Sequence, residues 1–225
     1  MPVEPVPTRW ELASPPDDHP DDLWALGADL EPGTLLAGYR HGLFPMPVAA
    51  TTGWFFPAAR AILPLERFHA SRRLHRSRRR FHVRVDVAFA DVVRACADPA
   101  RPGAWLDERM IEAYSELHRL GWAHSVEAWD AEGLAGAVYG VAIGGLFAAE
   151  SMFSLRTDAS KTALWALVEL LTDAGDPGQR LLDAQWPTPH LTSLGAVTAT
   201  RAEYRRRLER ALELPDPFGW KAVPD

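Results

Sequence analysis

Two carboxylates stand where hydrophobic strands end. Gly145-Leu146-Phe147-Ala148-Ala149 reads as a strand and runs straight into Glu150-Ser151-Met152-Phe153-Ser154. Further along, Leu181-Leu182 leads into Asp183-Ala184-Gln185. An acid at such a position is costly to desolvate unless it has a partner or a task. On a strand, residues i and i+2 share a face, so Asp183 and Gln185 are expected to reach one cavity. A carboxylate beside an amide can orient an amine nucleophile and accept its hydrogen bonds. Met152, Phe147, Leu167 and Leu171 are candidates to line an apolar pocket around these groups, with ordinary core packing as the competing reading. Glu150 can equally serve as the ion-pair partner of an arginine.

Other chemistries lack their residues. The eight histidines are scattered, without metal-ligand spacing, so no metal is expected. No nucleophile elbow and no phosphate-binding P-loop is present. Ser151 follows Glu150 directly, and adjacent strand side chains point to opposite faces, which argues against a Ser–Glu dyad. The single cysteine, Cys96, lies in an apolar helical stretch and suits packing in a reducing compartment.

With 47% hydrophobic residues and a mean hydropathy of -0.16, the chain has a globular composition. No apolar run reaches the roughly 18 residues of a membrane span, and the acidic, proline-rich start is no signal peptide; a cytoplasmic location is expected. The net charge of -6 gives no bulk attraction to nucleic acid. Residues 69–80 reverse this locally: Arg72, Arg73, Arg76, Arg78, Arg79 and Arg80 occur there without an acid. Such a run reads either as a solvated helix face or as a phosphate-backbone contact.

The elements that must position these groups form an α+β (α/β) pattern. Residues 1–20 are rich in Pro and Asp and are expected to be poorly ordered or draped. A small N-terminal unit, residues 1–60, contains a helix opened by Pro32 and two aromatic, proline-punctuated stretches at 44–47 and 54–57. A second unit, residues 61–225, reads as a strand at 81–85, a helix capped by Asp86, and a helix capped by Asp107 and ended by Gly121. Strands follow at 124–129, 134–143 and 146–153, the last two joined at Gly144-Gly145. A helix from Ser160 to about Ala174, a short strand from Arg180 to Ala184 and a basic amphipathic helix from Thr200 to Leu212 complete it.

A set of short motifs then occurs in order: Leu26-Gly27-Ala28-Asp29-Leu30, Tyr39 with Gly42-Leu43-Phe44-Pro45, His124-Ser125-Val126-Glu127, Tyr139-Gly140-Val141, Glu150-Ser151-Met152-Phe153-Ser154, Ala159-Ser160-Lys161-Thr162-Ala163-Leu164, Asp183-Ala184-Gln185, and His190 with Ser193-Leu194-Gly195. Each is weak alone. Together, from about Asp22 to Trp220, they closely resemble leucyl/phenylalanyl-tRNA–protein transferases.

The resemblance implies a small N-terminal domain followed by a GNAT-like acyltransferase domain with a mixed, mostly antiparallel sheet flanked by helices. It implies transfer of leucine or phenylalanine from aminoacyl-tRNA to the α-amine of proteins with N-terminal Lys or Arg, feeding the bacterial N-degron pathway. Glu150, Asp183 and Gln185 would sit at the reaction centre, Asp183 with Gln185 being expected to orient the amine and help take its proton, and Glu150 to assist in positioning or bind the basic acceptor. Val138, Phe147, Met152, Leu167 and Leu171 would hold the amino-acid side chain, with Ser154 beside them. Trp105 and Met46 would meet the terminal adenosine, and the six arginines would contact tRNA. No cofactor is implied, and the chain would act as a monomer. Four stretches depart from the pattern: Met46 replaces a tryptophan, residues 54–60 keep only Trp54, Pro57 and Arg60 of a Trp-Trp-Ser-Pro-Asp-Pro-Arg pattern, Thr188-Pro189-His190 replaces Asn-Asp-His, and Leu167 and Leu171 stand where aromatics are common. An acetyl-CoA-dependent or peptide-ligase acyltransferase and a non-catalytic RNA- or peptide-binding protein are the rival readings. The glycine-free turn Arg156–Lys161 disfavours acetyl-CoA, whose pyrophosphate favours a glycine-rich turn.

Overall fold

In the computed structural model, which describes residues 1–101 and 103–218, the α+β architecture expected from the sequence is present. Trp220 and its neighbours lie outside the described residues. The small unit is a three-stranded antiparallel sheet, ordered β1 (Leu23–Leu26), β3 (Thr51–Phe55), β2 (Phe44–Val48), with helix α1 (Pro32–Arg40). Pro32 sits in the first turn of α1, where its missing N–H removes no helical bond, and Arg40 lies in the last turn.

The large sheet has seven strands, ordered β10 (Val197–Thr200), β4 (Ala59–Ile62), β9 (Leu181–Gln185), β8 (Leu146–Ser154), β7 (Gly133–Ile143), β6 (Ala123–Asp130), β5 (His82–Val85). Every pairing is antiparallel except β8 with β9, which helix α5 (Ala159–Asp173) connects. β4 crosses the 60/61 boundary set from composition and belongs to the large sheet.

Each face of this sheet carries its own apolar core. One gathers α3 (Phe89–Ala97), α4 (Glu108–Arg119), α7 (Arg201–Leu212) and the small unit around Tyr139, Val141, Leu146 and Ala148. The other packs Ala163, Leu164, Leu167 and Leu171 of α5 against Val126, Val138 and Phe147. The alternation of β8 between Leu146/Ala148 and Phe147 is the period-two pattern of a strand covered on both sides.

Asp107 caps α4 as expected, accepting from Met110 N–H at 3.0 Å. Asp86 does not cap α3. It bonds Ser125 N–H at 2.8 Å and His124 Nδ1 at 2.7 Å instead. Glu127, from the neighbouring strand, takes the Val87 and Ala88 N–H groups at the start of α3. Tertiary partners thus claim the Asp86 side chain, and no side chain caps α3 at Ala88. The arginine-rich stretch forms a helix, α2 (Arg72–Arg78), and Pro189–Ser193 forms α6. Residues 1–20, expected to be poorly ordered or draped, lie against the body: Val3 N–H meets Leu120 C=O at 2.8 Å, and Arg205 reaches Pro15 C=O at 2.6 Å. Buried Arg201 holds the carbonyls of His19, Asp21 and Phe56.

Candidate active site

The parallel ladder between β8 and β9 ends early. It pairs Leu146 with Leu181, Phe147 with Leu182 and Ala148 with Asp183, and goes no further. Just beyond, β8 carries a bulge. Gly140 opposes Ala149 and Tyr139 opposes Ser151, so Glu150 is the extra residue. Gly140 permits this, because a Cβ there would lie 2.2 Å from the Ala148 carbonyl oxygen. On the other side of the gap Gln185 adopts φ 62°, a left-handed conformation. Both irregularities aim polar side chains at the parting of the strands. Gln185 Nε2 donates to Glu150 Oε1 at 2.8 Å, so a side-chain bond spans the gap the backbone leaves open.

The structure therefore brings Glu150, Asp183 and Gln185 together, but it does not treat them alike. Asp183 is fully buried. Its Oδ1 accepts from Arg60 Nε at 2.8 Å and from Gln185 N–H at 2.9 Å. Its Oδ2 accepts from Arg60 Nη2 at 2.5 Å and Tyr204 Oη at 2.8 Å. Four donors fill the lone pairs of the carboxylate. The expectation that Asp183 orients an amine and takes its proton meets this obstacle. Burial opposes the charge of Arg60, but the Asp183 carboxylate outweighs it and holds the guanidinium ionised. The Phe44 and Tyr204 rings lie 4.5 Å from the Arg60 Cζ and supply cation–π contacts.

Glu150 has lighter company. Tyr114 Oη donates to its Oε2 at 2.8 Å, and Tyr39 Oη lies 2.7 Å from Tyr114 Oη. Burial raises the Glu150 carboxyl to about 7, opposed by the tyrosine and Gln185 hydrogen bonds and reinforced by nearby Asp183. A carboxyl poised there exchanges protons near neutrality. Tyr39 and Tyr114 are themselves raised well above the ordinary tyrosine value by burial, so they act as donors. Among the described residues the Gln185 Oε1 accepts no hydrogen bond.

Val138, Phe147, Leu167 and Leu171 lie in the core under α5, with half-buried Met152 packed against it. They occupy the face opposite Tyr39 and Tyr114, so the gap between β8 and β9 is where the apolar and polar groups meet. Ser154 is exposed; its Oγ accepts from Ser160 N–H at 3.3 Å at the start of α5. Trp105 and Met46 are half-buried against the first core. In the Arg156–Lys161 turn, Asp158 engages Ser77 at 2.8 Å and Lys161 at 3.5 Å, placing an acid where a pyrophosphate would need amides.

The six arginines divide. Arg78 pairs with Glu169 of α5, with one contact at 2.6 Å, and lies over Trp165 at 4.3 Å. Arg73 stands 3.5 Å from Asp158. Arg72, Arg76, Arg79 and Arg80 are exposed and make no ion pair among the described residues. Leu74 and Ser77 are the buried anchors of α2.

Sequence reasoning gave no role to Arg60, Tyr39, Tyr114 and Tyr204. The residue pattern carried no signal for such a role, because the burial of all four tyrosines arises only in the fold; three of the buried phenols find polar partners and Tyr139 Oη finds none among the described residues.

The chain is similar to known proteins over nearly its whole length. The family model for leucyl/phenylalanyl-tRNA protein transferase matches residues 62–209, and that for the N-terminal domain of the same family matches residues 28–58. A leucyl/phenylalanyl-tRNA–protein transferase of Anaeromyxobacter sp. (strain Fw109-5) is 46% identical over 221 residues, 96% of this chain and 93% of that protein. Its namesake in Herpetosiphon aurantiacus is 48% identical over 192 residues, covering 84% and 98%. That of Idiomarina loihiensis is 40% identical over 227 residues, covering 98% and 94%. With both of its units matched, the chain belongs to the leucyl/phenylalanyl-tRNA–protein transferase family.

Proposed function

We propose that the protein transfers leucine or phenylalanine from aminoacyl-tRNA to the α-amine of proteins with N-terminal Lys or Arg, as a single chain and in the service of N-degron degradation. The observation that carries the chemistry is the Gln185–Glu150 bridge across the parted strands, with a carboxyl raised to about 7.

An aminoacyl ester is already activated, so the enzyme needs to align an uncharged amine and shield the ester from water. In this reading the Gln185 Oε1 accepts a hydrogen bond from the incoming amine and fixes its lone pair on the ester carbonyl. The nitrogen–carbon bond forms, the bond from the carbonyl carbon to the terminal ribose oxygen breaks, and the released hydroxyl takes a proton. Ionised Glu150 accepts the proton the amine must shed and passes it toward that leaving oxygen. Asp183 is reassigned from proton acceptor to positioning residue. Through Arg60, Tyr204 and the Gln185 N–H it sets the left-handed turn that aims Gln185. Val138, Phe147, Met152, Leu167 and Leu171 receive the leucyl or phenylalanyl side chain, each methylene of fit being worth about 1–3 kcal/mol. Met46 and Trp105 contact the terminal adenosine, Ser154 borders the site, and the exposed arginines of α2 track tRNA phosphates.

The deciding assay supplies labelled Leu-tRNA and a peptide with N-terminal Arg, beside acetyl-CoA as rival donor. Labelled leucine on the Arg peptide and no acetylation is the expected result. Acetylation without leucyl transfer, or tRNA binding without transfer, overturns the reading.

A further inference from the structure

Away from the parted strands, the edge of the large sheet carries a second concavity. It lies between α2, α5 and β5, encloses about 580 Å³, and no acidic residue lines it. That volume is in the range of small-ligand sites, roughly 300–1,000 Å³. Its walls are basic and aromatic: Arg78, Arg79, His75, His82, Phe81 and Trp165.

The walls are ordered in a particular way. Glu169 grips both terminal nitrogens of Arg78 and holds its guanidinium over the Trp165 indole at 4.3 Å. His75 meets the indole edge-on at 4.6 Å, and Phe68 braces it at 6.0 Å. Arg78 is therefore neutralised and pinned as a flat plate. Arg79, next in sequence, is exposed and free of ion pairs among the described residues. A planar tier beside one unpaired cation, without an acid, suits a ligand with a flat ring and a negative charge.

We propose that this concavity holds one unpaired nucleotide of tRNA, its base against the Arg78–Trp165 tier and its phosphate on Arg79. The inference rests on the aminoacyl-tRNA reading above and assigns a subsite to it. The nucleotide is single-stranded, because a base inside a duplex has no free face to offer. His82 and Phe81 close the rim, and the exposed Arg72, Arg76 and Arg80 continue the phosphate track. The order of roles in the cluster follows: Arg78 stacks, and its neighbours neutralise.

The test measures binding of deacylated tRNA across a salt series, so it needs no transfer activity. Base stacking contributes about 1–3 kcal/mol, which converts to roughly a 5- to 150-fold loss of affinity for Trp165→Ala. That loss is expected with an unchanged salt slope, and Trp165→Phe restores most of it. Arg79→Ala, at an exposed position that leaves folding intact, lowers the slope by about one counterion. Wild-type affinity and slope in Arg79→Ala overturn the proposal, as does wild-type affinity in a folded Trp165→Ala. A raised KM for the acceptor peptide with unchanged tRNA affinity assigns the concavity to a protein partner and overturns it too. A wild-type protein that binds tRNA with this pattern yet transfers no leucine sinks the transferase reading and leaves the subsite standing.

Discussion

Asp183 and Glu150 are both buried carboxylates at the parting of two neighbouring strands, yet their surroundings differ in kind. Asp183 is held by a guanidinium, a phenol and a backbone amide, and every lone pair is taken. Glu150 is held by a phenol and a primary amide, with no cation bonded to it. A carboxylate paired with a buried cation is a fixed charge. One surrounded by neutral donors is a proton-exchanging group, because burial lifts its titration toward neutrality. In the proposed reaction, two acids in similar sequence contexts thus divide the work, one holding the frame and the other moving the proton.

The sharpest way to break this comparison is Glu150→Gln. It keeps the size and the Tyr114 contact but removes the proton acceptor. Transfer is expected to fall by about 10²–10⁴-fold, with the urea midpoint at about pH 4.5 nearly unchanged. Transfer at the wild-type rate refutes the division of roles. Asp183→Ala should do the reverse to stability. It strands Arg60 as an uncompensated buried charge, at a cost of about 3–5 kcal/mol, visible as early urea unfolding. A variant as stable as the parent would show that the Arg60 pair is not the frame.

The pH dependence tests the role of Glu150. Transfer should rise as pH passes through about 7, when Glu150 ionises. For stability the sign is opposite. The folded-state value is raised from 4.5 to about 7, so in that window the folded protein retains a proton that the unfolded chain has released. Stability therefore declines as pH rises through the window. Glu150→Gln should remove that decline, read as urea midpoints at about pH 4.5 and about pH 8. The mildest change is Tyr114→Phe. Loss of a donor that lowers the Glu150 value moves the rising limb of the pH–rate profile to higher pH. A limb that stays in place would separate Tyr114 from the proton transfer.

Much of this fold is legible in the residues. The Gly144-Gly145 hairpin, the Asp107 cap, the α5 stripe and the Pro32 helix start follow from local rules, because each is decided by bonds a few residues apart. Asp86 shows where such rules stop. Its side chain is a competent cap, but Ser125 and His124 claim it, and Glu127 from another strand takes the Val87 and Ala88 N–H groups just ahead of the helix. β4 and β10 escaped notice because each is four residues long and pairs only with distant segments.

At the candidate site, the residue types of Glu150, Asp183 and Gln185 and their placement on two strands come from the sequence alone. So do the density of arginine in residues 69–80 and the ordered motifs that mark the family. The expected strand ends do not hold: Glu150 lies midway along β8 and Asp183 midway along β9. Which acid is sealed and which is poised was settled only when Arg60 and Tyr204 reached Asp183 across 123 and 21 residues, and Tyr114 reached Glu150 across 36. Period-two alternation places Asp183 and Gln185 on one side, but the left-handed backbone at Gln185 turns its amide across to Glu150. Composition fixes which charges the chain carries. Burial and partners fix what each charge is worth, and those exist only once distant segments are packed together.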